Sequence, residues 1–532
     1  MGICHRSNAD RTKFIINEDL KVKKTILRTY ENYNKEKKDQ IDDGENINQK
    51  NDNSIHTKLS EYENKIVTKS NLNFYSVYQK IAKLGEGGFG EVYQVRHKII
   101  NTIRAMKELL IINCQNGKEE TNTEIEILKS LDHPNIIKLF EYFSDKEKYY
   151  LITEYCKEGD LSQIMRKQSK MPEEEAGYIM YQIFKALVYC HKRENPIIHR
   201  DIKLENIVAS KKNDKNLYDI KLIDFGISKI LKNPENETQI KGSLYYIAPE
   251  VLTKKYDEKC DIWSSGVVFF KLVTGKFPFE GKSRIEIWDN IKNCRWRFPE
   301  KIAGELSSEV CDLISKCLVA SPKERISAEQ AISHPFFKRI KEDFVHVNET
   351  FLIKTINNIK KYESKNQLQA VTFLYLVHNF PELDEITRIN KVFHKFNTSG
   401  TGKLTEEELI KGINKYLYKG ERGKNTSNKE GDKIFRKLDV NGNGYIDCEE
   451  FVRAGIDKKL LKDRDKLKFT FDFIDKNKNG QISFDELKII CNKDEKALEL
   501  IQQIDKNSDK LISFEEYYNM MLKIIEDDIK SQ

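Results

Sequence analysis

Two sets of residues in this chain could do chemistry, one suited to phosphate and the other to a hard cation. The run Leu84-Gly85-Glu86-Gly87-Gly88-Phe89-Gly90-Glu91-Val92 spaces Gly85, Gly87 and Gly90 as G-x-G-x-x-G. Glycine lets a backbone approach phosphate closely. The same spacing marks dinucleotide folds, but there the loop opens a helix. Here strand-like residues follow at once, so the run is expected to form a hairpin lid over a nucleotide. Lys107 lies in the next strand-like run, and Glu124 precedes the helix-like spacing of Ile125, Leu128 and Leu131. Alone, each charge reads as solvated surface. Together, a strand lysine and a helix glutamate can pair and hold the ammonium on the α- and β-phosphates of ATP. Downstream come His199-Arg200-Asp201-Ile202-Lys203-Leu204-Glu205-Asn206 and then Asp224-Phe225-Gly226. A single aspartate could be a helix cap. The ordered set instead supplies a base and metal ligands. Asp201 would orient a substrate hydroxyl and take its proton, Lys203 would stabilise the transferring phosphoryl group, and Asn206 with Asp224 would hold Mg²⁺.

The cation set lies in the last third of the chain. An EF-hand loop needs oxygen ligands at positions 1, 3, 5 and 9, glycine at 6, a backbone carbonyl at 7 and a bidentate glutamate at 12. Asp439, Asn441, Asn443, Gly444, Tyr445, Asp447 and Glu450 meet every requirement. Asp475, Asn477, Asn479, Gly480, Gln481, Ser483 and Glu486 do so again. A third loop, with Asp505, Asn507, Asp509, Leu511, Ser513 and Glu516, has Lys510 where glycine belongs, so it must take a left-handed backbone or distort the turn. In the remaining loop Asn397, Ser399, Thr401, Gly402 and Lys403 lead to Glu408. With no carboxylate at positions 1, 3 or 5, it is expected to bind Ca²⁺ weakly or not at all.

Both sets need scaffolds. Strand-like runs from Tyr78 to Leu84, Glu91 to Arg96 and Arg104 to Leu110 give way to helical periodicity, and this block ends near Phe337. Residues 78–337 thus form one domain, and 389–526 repeat a helix-loop pattern four times. Between them, 338–388 carries Leu352, Ile356 and Ile359 at helical spacing and the apolar stretch from Leu368 to Val377. A regulatory helix or pair is expected there. Residues 1–77 are polar and expected to be largely disordered. The 532 residues are 39% hydrophobic and 33% charged, with 91 basic against 84 acidic side chains. That mixed surface gives no support to nucleic-acid binding. No apolar run approaches the ~18 residues that span a bilayer. Ten scattered cysteines and the absence of a secretory signal fit a reducing, cytoplasmic setting.

On the motifs above, with Ala248-Pro249-Glu250, Asp261-Ile262-Trp263-Ser264-Ser265-Gly266 and Arg325, residues 78–337 resemble the eukaryotic protein kinases. The resemblance implies a bilobal α+β fold, a structural ion pair between Glu250 and Arg325, and Thr153 as gatekeeper behind the adenine. Lys203, with Gly242-Ser243 ahead of Tyr245-Tyr246, resembles the Ser/Thr rather than the Tyr kinases. Leu204 stands where the family usually has proline; since proline there only stiffens the loop, activity should survive. Kinase, junction and a calmodulin-like all-α domain of four EF-hands in two pairs, in that order, resemble the calcium-dependent protein kinases. That multidomain plan implies ATP, Mg²⁺ and Ca²⁺ as cofactors and a junction that restrains the kinase until the loaded sensor captures it. A passive spacer is the alternative for the junction. The rivals for the whole are a calcium-dependent scaffold with a dead kinase lobe and a constitutive kinase whose EF-hands only buffer. By resemblance to basophilic kinases, Glu205 and Asp160 would favour Arg or Lys upstream of the phosphorylated Ser/Thr. The chain is expected to act as a monomer. Met1-Gly2-Ile3-Cys4, with Arg6 where Ser or Thr is wanted, suggests myristate on Gly2 and palmitate on Cys4, hence possible membrane attachment.

Overall fold

The computed structural model describes residues 67–530 apart from 71, 88–89, 111–116, 194, 213–216, 226–228, 231–243, 254–255, 339–346, 363–366, 381–383, 418–427, 440–442, 458–462 and 492–493. The proposed acylation sites Gly2 and Cys4 lie outside the described residues, as do Gly88, Phe89, Gly226, Gly242, Ser243 and Asn441. So does most of the polar extension. Its last residues are folded onto the domain that follows. Thr68–Lys69 (β1) pairs parallel with Leu139–Ser144, and the Phe74 ring stacks 5.0 Å from Tyr150 and 5.8 Å from Tyr78. Apolar Val67 and Phe74 are what the polar stretch before them lacks.

The first lobe is a six-stranded sheet in the order β1-β5-β6-β4-β3-β2, with β2 Tyr78–Gly87, β3 Gly90–His97, β4 Ile103–Leu110, β5 Leu139–Ser144 and β6 Lys148–Thr153. The β2-β3 hairpin closes at Gly87 opposite Gly90, so the glycine run is a strand-to-strand lid. Side chains alternate along β4: Arg104 and Met106 are buried on one face, and Lys107 leaves by the other. Helix α1 (Gly117–Lys129) packs beside the sheet through buried Ile125 and Leu128. Glu124 therefore sits mid-helix, not at its start. The turns before it are polar and carry no apolar period to read.

The second lobe is built on α2 (Glu173–His191) and α3 (Lys259–Thr274), both buried nearly all round, as the core helices of a large lobe should be. Helix α3 stops at Gly275, whose φ of 73° and N–H to the Lys271 carbonyl make a left-handed C-cap.

A third unit has its own apolar core. Its helices are α4 (Glu349–Lys361), α5 (Gln367–Asn379), α6 (Asp384–Phe396), α7 (Glu406–Leu417), α8 (Asn428–Leu438), α9 (Cys448–Gly455), α10 (Arg464–Ile474), α11 (Phe484–Cys491), α12 (Asp494–Ile504) and α13 (Phe514–Lys530). The loops pair through their eighth residues: Leu404 bridges Ile446, and Ile482 pairs with Ile512. Four EF-hands thus stand in two pairs. The junction helices α4 and α5 share this core: Ile356 and Leu376 are buried with Phe393, Phe451 and Phe471, and the Thr372 hydroxyl meets Tyr517 Oη at 2.9 Å.

Candidate active site and calcium loops

Lys107, Glu124 and Asp224, far apart in sequence, converge in the cleft between the lobes. Lys107 Nζ donates to Glu124 Oε1 at 2.7 Å and to Asp224 Oδ1 at 2.9 Å. Burial alone would lower the Lys107 pKa, but the two carboxylates outweigh it and hold the ammonium above its ordinary range. The lysine is thus a fixed charge at neutral pH.

Asp201 lies beside them in a second cluster. Lys203 Nζ donates to Asp201 Oδ2 at 2.5 Å, and Asn206 Nδ2 donates to both the Asp201 carbonyl and Oδ2 at 2.9 Å. With its amide nitrogen so committed, Asn206 offers a cation its carboxamide oxygen, an appropriate donor for Mg²⁺ beside the Asp224 carboxylate. Arg200 and Asp224 have φ of 69° and 64°, a left-handed conformation that costs a non-glycine residue of order 1–3 kcal/mol. Asp261 on α3 over-determines the first of these: its carboxylate accepts the N–H of His199 at 2.9 Å and of Arg200 at 2.8 Å, and meets His191 Nε2 at 2.9 Å. The His191 bond and nearby histidines offset the cost of burial and lower the Asp261 pKa. Sequence reasoning marked Asp261 only as a landmark; nothing in its spacing revealed that it holds the catalytic loop from behind.

Other expectations find their places. Arg325 donates to both oxygens of Glu250, at 2.6 and 2.9 Å, fully inside the second lobe. Thr153 ends β6 opposite Ala105 and Leu139. Leu204, where the family usually has proline, is buried in the turn Leu204–Asn206. Asp160 caps helix Leu161–Lys167 by accepting the Gln163 N–H at 2.8 Å, while Glu205 is exposed in the adjoining turn. Of the lid, Leu84, Gly85 and Glu86 are exposed, and Glu91 is tied to Lys83 at 2.6 Å; Val92 lies opposite Lys107.

In the calcium loops, oxygens converge as a hard cation requires. Asp439 takes the N–H groups of Asn443 and Gly444, and Asn443 takes that of Tyr445. Glu450 closes the loop from the first turn of α9, fully buried, in a capping box with Asp447. Asp475 receives Asn479 and Gly480, Asn479 receives Gln481, and Glu486 reaches back to the N–H of Asn477 at 3.2 Å. Asp505 and Glu516 do the same, with Asn507 and Asp509 between them and Leu511 donating to Asp509. Lys510 adopts φ 63° where Gly444 and Gly480 have 82° and 84°, so the turn survives without glycine. The loop at Asn397 is different. Asn397 Nδ2 points inward to the Lys403 carbonyl at 2.6 Å, the oxygen that a cation would need.

The EF-hand unit also touches the kinase lobes, on the sheet face away from Lys107. Arg104 donates to the Asn379 carbonyl at the end of α5 and lies over the Phe140 ring. Lys138 at the edge of β5 pairs with Glu449, which also meets His378 Nδ1 at 2.9 Å and donates its N–H to Asp132 at 3.1 Å. A Cβ on Gly402 would lie 2.8 Å from Tyr189 and 3.0 Å from His133, so the Asn397 loop packs directly on α2.

Comparison with known proteins agrees with this geometry. Residues 78–337 match the model of the protein kinase domain, and 386–454 with 464–522 match that of the EF-hand domain pair. The chain is 34% identical to Calcium-dependent protein kinase 4 of Plasmodium falciparum, over 86% of this chain and 88% of that one. It is 34% identical to Calcium-dependent protein kinase 5 of the same organism, over 84% and 77%, and to Calcium-dependent protein kinase 3 of Plasmodium berghei, over 84% and 80%. With a kinase cleft and two pairs of EF-hands on one polypeptide, the chain belongs to the calcium-dependent protein kinases, enzymes that phosphorylate Ser/Thr under Ca²⁺ control.

Proposed function

We propose that Asp201 is the base of phosphoryl transfer and that calcium turns the enzyme on by seating the sensor behind the kinase lobes. The proximity of Asp201, Lys203 and Asn206 supports the first statement. Asp201 orients the Ser or Thr hydroxyl and takes its proton, while Lys203 stands against the migrating phosphoryl group. Lys107, held by Glu124, clamps the α- and β-phosphates. Asn206 and Asp224 would hold Mg²⁺, which would supply positive charge to offset the charge that develops on the phosphates during transfer. The observation that carries the second statement is the position of the junction: α4 and α5 are buried among EF-hand helices, on the face away from the cleft. A junction held there cannot obstruct substrate.

Lys138→Met tests this seat. It leaves Glu449 and Asp132 facing each other without their shared cation, and because these side chains are only half-buried the cost falls below the roughly 3–5 kcal/mol of a fully buried pair. The calcium concentration for half-maximal activity should rise at least about tenfold, a factor worth about 1.4 kcal/mol. An unchanged calcium response from a folded variant would remove the seat from the mechanism.

For substrates, Asp160 and Glu205 flank the groove where upstream residues dock, and their carboxylates favour Arg or Lys there. Because Asp160 also caps a helix, Asp160→Asn is the informative change: it keeps the cap and removes the charge. On a peptide array it should weaken the upstream basic preference selectively. Equal use of acidic and basic peptides by the wild type would rule the preference out.

The N-terminal reading rests on sequence alone. Myristate on Gly2 and palmitate on Cys4 would hold an otherwise cytoplasmic monomer at a membrane, since one chain anchors only marginally. Gly2→Ala should then shift the protein from the particulate to the soluble fraction, and an unchanged distribution would count against the anchor.

A further inference from the structure

The first described residues form a strand that the catalytic motifs do not account for. β1 runs parallel to β5, with Thr68 opposite Glu141 and Lys69 opposite Tyr142, and the Ser70 N–H extends the ladder to the Tyr142 carbonyl at 2.9 Å. The segment is anchored beyond the strand as well. Asn73 accepts the Tyr75 N–H at 2.8 Å and so caps the short helix Phe74–Val77, and Phe74 is buried in the cluster of Tyr78, Phe143 and Tyr150. Without β1, β5 would be the edge of the sheet. Covering an edge takes only backbone hydrogen bonds.

Val67, just ahead of β1, does more than that. It is 7% exposed and belongs to the apolar core that holds Ile125, Leu128 and Leu131. With Leu128, Leu131 and Leu139 it lines a cavity of about 330 Å³ at the C-terminal end of α1. The same end of the helix meets the partner strand of β1, since Lys129 Nζ lies 5.4 Å from the Tyr142 ring centroid. The early turns of α1, from Gly117 to Thr123, are polar, so the apolar packing of the helix is concentrated at the end where Val67 lies. Glu124 stands one turn before Leu128 on the same helical face. It is buried, and its carboxylate takes the Lys107 ammonium at 2.7 Å.

We propose that Val67 is a positioning residue for phosphoryl transfer: by packing on the last turns of α1 it holds Glu124 where it keeps Lys107 on the α- and β-phosphates. The proposal rests on the Lys107–Glu124 pair as the phosphate clamp. The working kinase unit therefore reaches back to Val67, into the end of the polar extension. Misplacing a positioned group by about 1 Å can cost on the order of 10²-fold in rate with the reacting groups unchanged.

The test uses the full chain in saturating Ca²⁺ and MgATP with a Ser/Thr peptide. Val67→Ile should keep wild-type turnover, Val67→Ala should lower it several-fold, and Val67→Asp should lower it by about 10²-fold. The strand lies at one end of the domain and can release without unfolding the lobes, so amide exchange in Val67→Asp should speed up in α1 while α2 stays protected. If exchange rises in α2 as well, Val67→Ala carries the same comparison. A strand that only covers the sheet edge would cost the same factor whether or not Glu124 is present. A residue that acts through Glu124 behaves differently: in a Glu124→Gln background, Val67→Asp should cost less than about twofold further. Full turnover in Val67→Asp, or an equal loss in both backgrounds, would overturn the proposal. Glu124→Gln alone separates the two ideas. If it is damaging while Val67→Asp is not, the role of Val67 alone is wrong; if it changes nothing, the clamp itself is wrong.

Discussion

Asp201→Asn should lower phosphoryl transfer by roughly 10²–10⁴-fold, the usual worth of a positioned general base. The substitution keeps the size of the side chain but cannot accept the proton, and the N–H groups that hold the loop in place come from His199 and Arg200 to Asp261, not to Asp201. The loop should therefore stay formed. Lys107→Met should be comparably damaging, because it removes the phosphate clamp and leaves Glu124 and Asp224 without the ammonium between them. Both variants should fold and bind calcium as wild type does. If either kept more than about a tenth of normal activity, less than the smallest expected effect of a general base, the catalytic assignment would be mistaken.

The second large effect is on calcium. Changing the twelfth residue of each loop from Glu to Gln should give a ranking, with Glu450→Gln the most harmful and Glu408→Gln nearly silent. The Asp439 loop presents three carboxylates, Asp439, Asp447 and Glu450, and a glycine turn; the Asp475 loop presents two, Asp475 and Glu486, with the same turn. Lys510 in the Asp505 loop holds the left-handed turn at a cost of roughly 1–2 kcal/mol, so Lys510→Gly should tighten that loop by about tenfold. In the Asn397 loop an amide N–H already occupies the seventh-position carbonyl, and Glu408 is taken by Ser399 N–H at 2.8 Å and Thr398 Oγ1 at 3.1 Å. That loop satisfies itself and packs on Tyr189 and His133 instead. Calcium titration of the four variants, alongside the calcium dependence of activity, measures the order. Glu408→Gln proving the most damaging would defeat the ligand-counting argument.

What the sequence could show follows from how local each device is. The glycine run, the Asp201 loop and the calcium loops are each written in a dozen residues or fewer, where spacing dictates backbone geometry. Their elements were legible for that reason, down to the left-handed option at Lys510. The convergence of Lys107, Glu124 and Asp224 was legible only because three short signals occur in a fixed order. Helix α1 was half hidden, since its first turns carry no apolar period. Least legible was the seam. Lys138, Glu449, His378 and Arg104 are ordinary polar residues on strands and helices, and only the fold reveals that they meet in one seam across hundreds of residues. The junction gave two apolar stretches without saying what covers them; in the structure the EF-hand helices do.

The central claim is that one chain joins an active kinase to a calcium switch. Transfer of labelled phosphate from ATP to a basic Ser/Thr peptide, measured in Ca²⁺ and again in chelator, tests it most directly. The account predicts strong incorporation with Ca²⁺ and little in chelator. No incorporation in either would mean a scaffold with a dead kinase lobe, and equal incorporation in both would mean a kinase that calcium does not control.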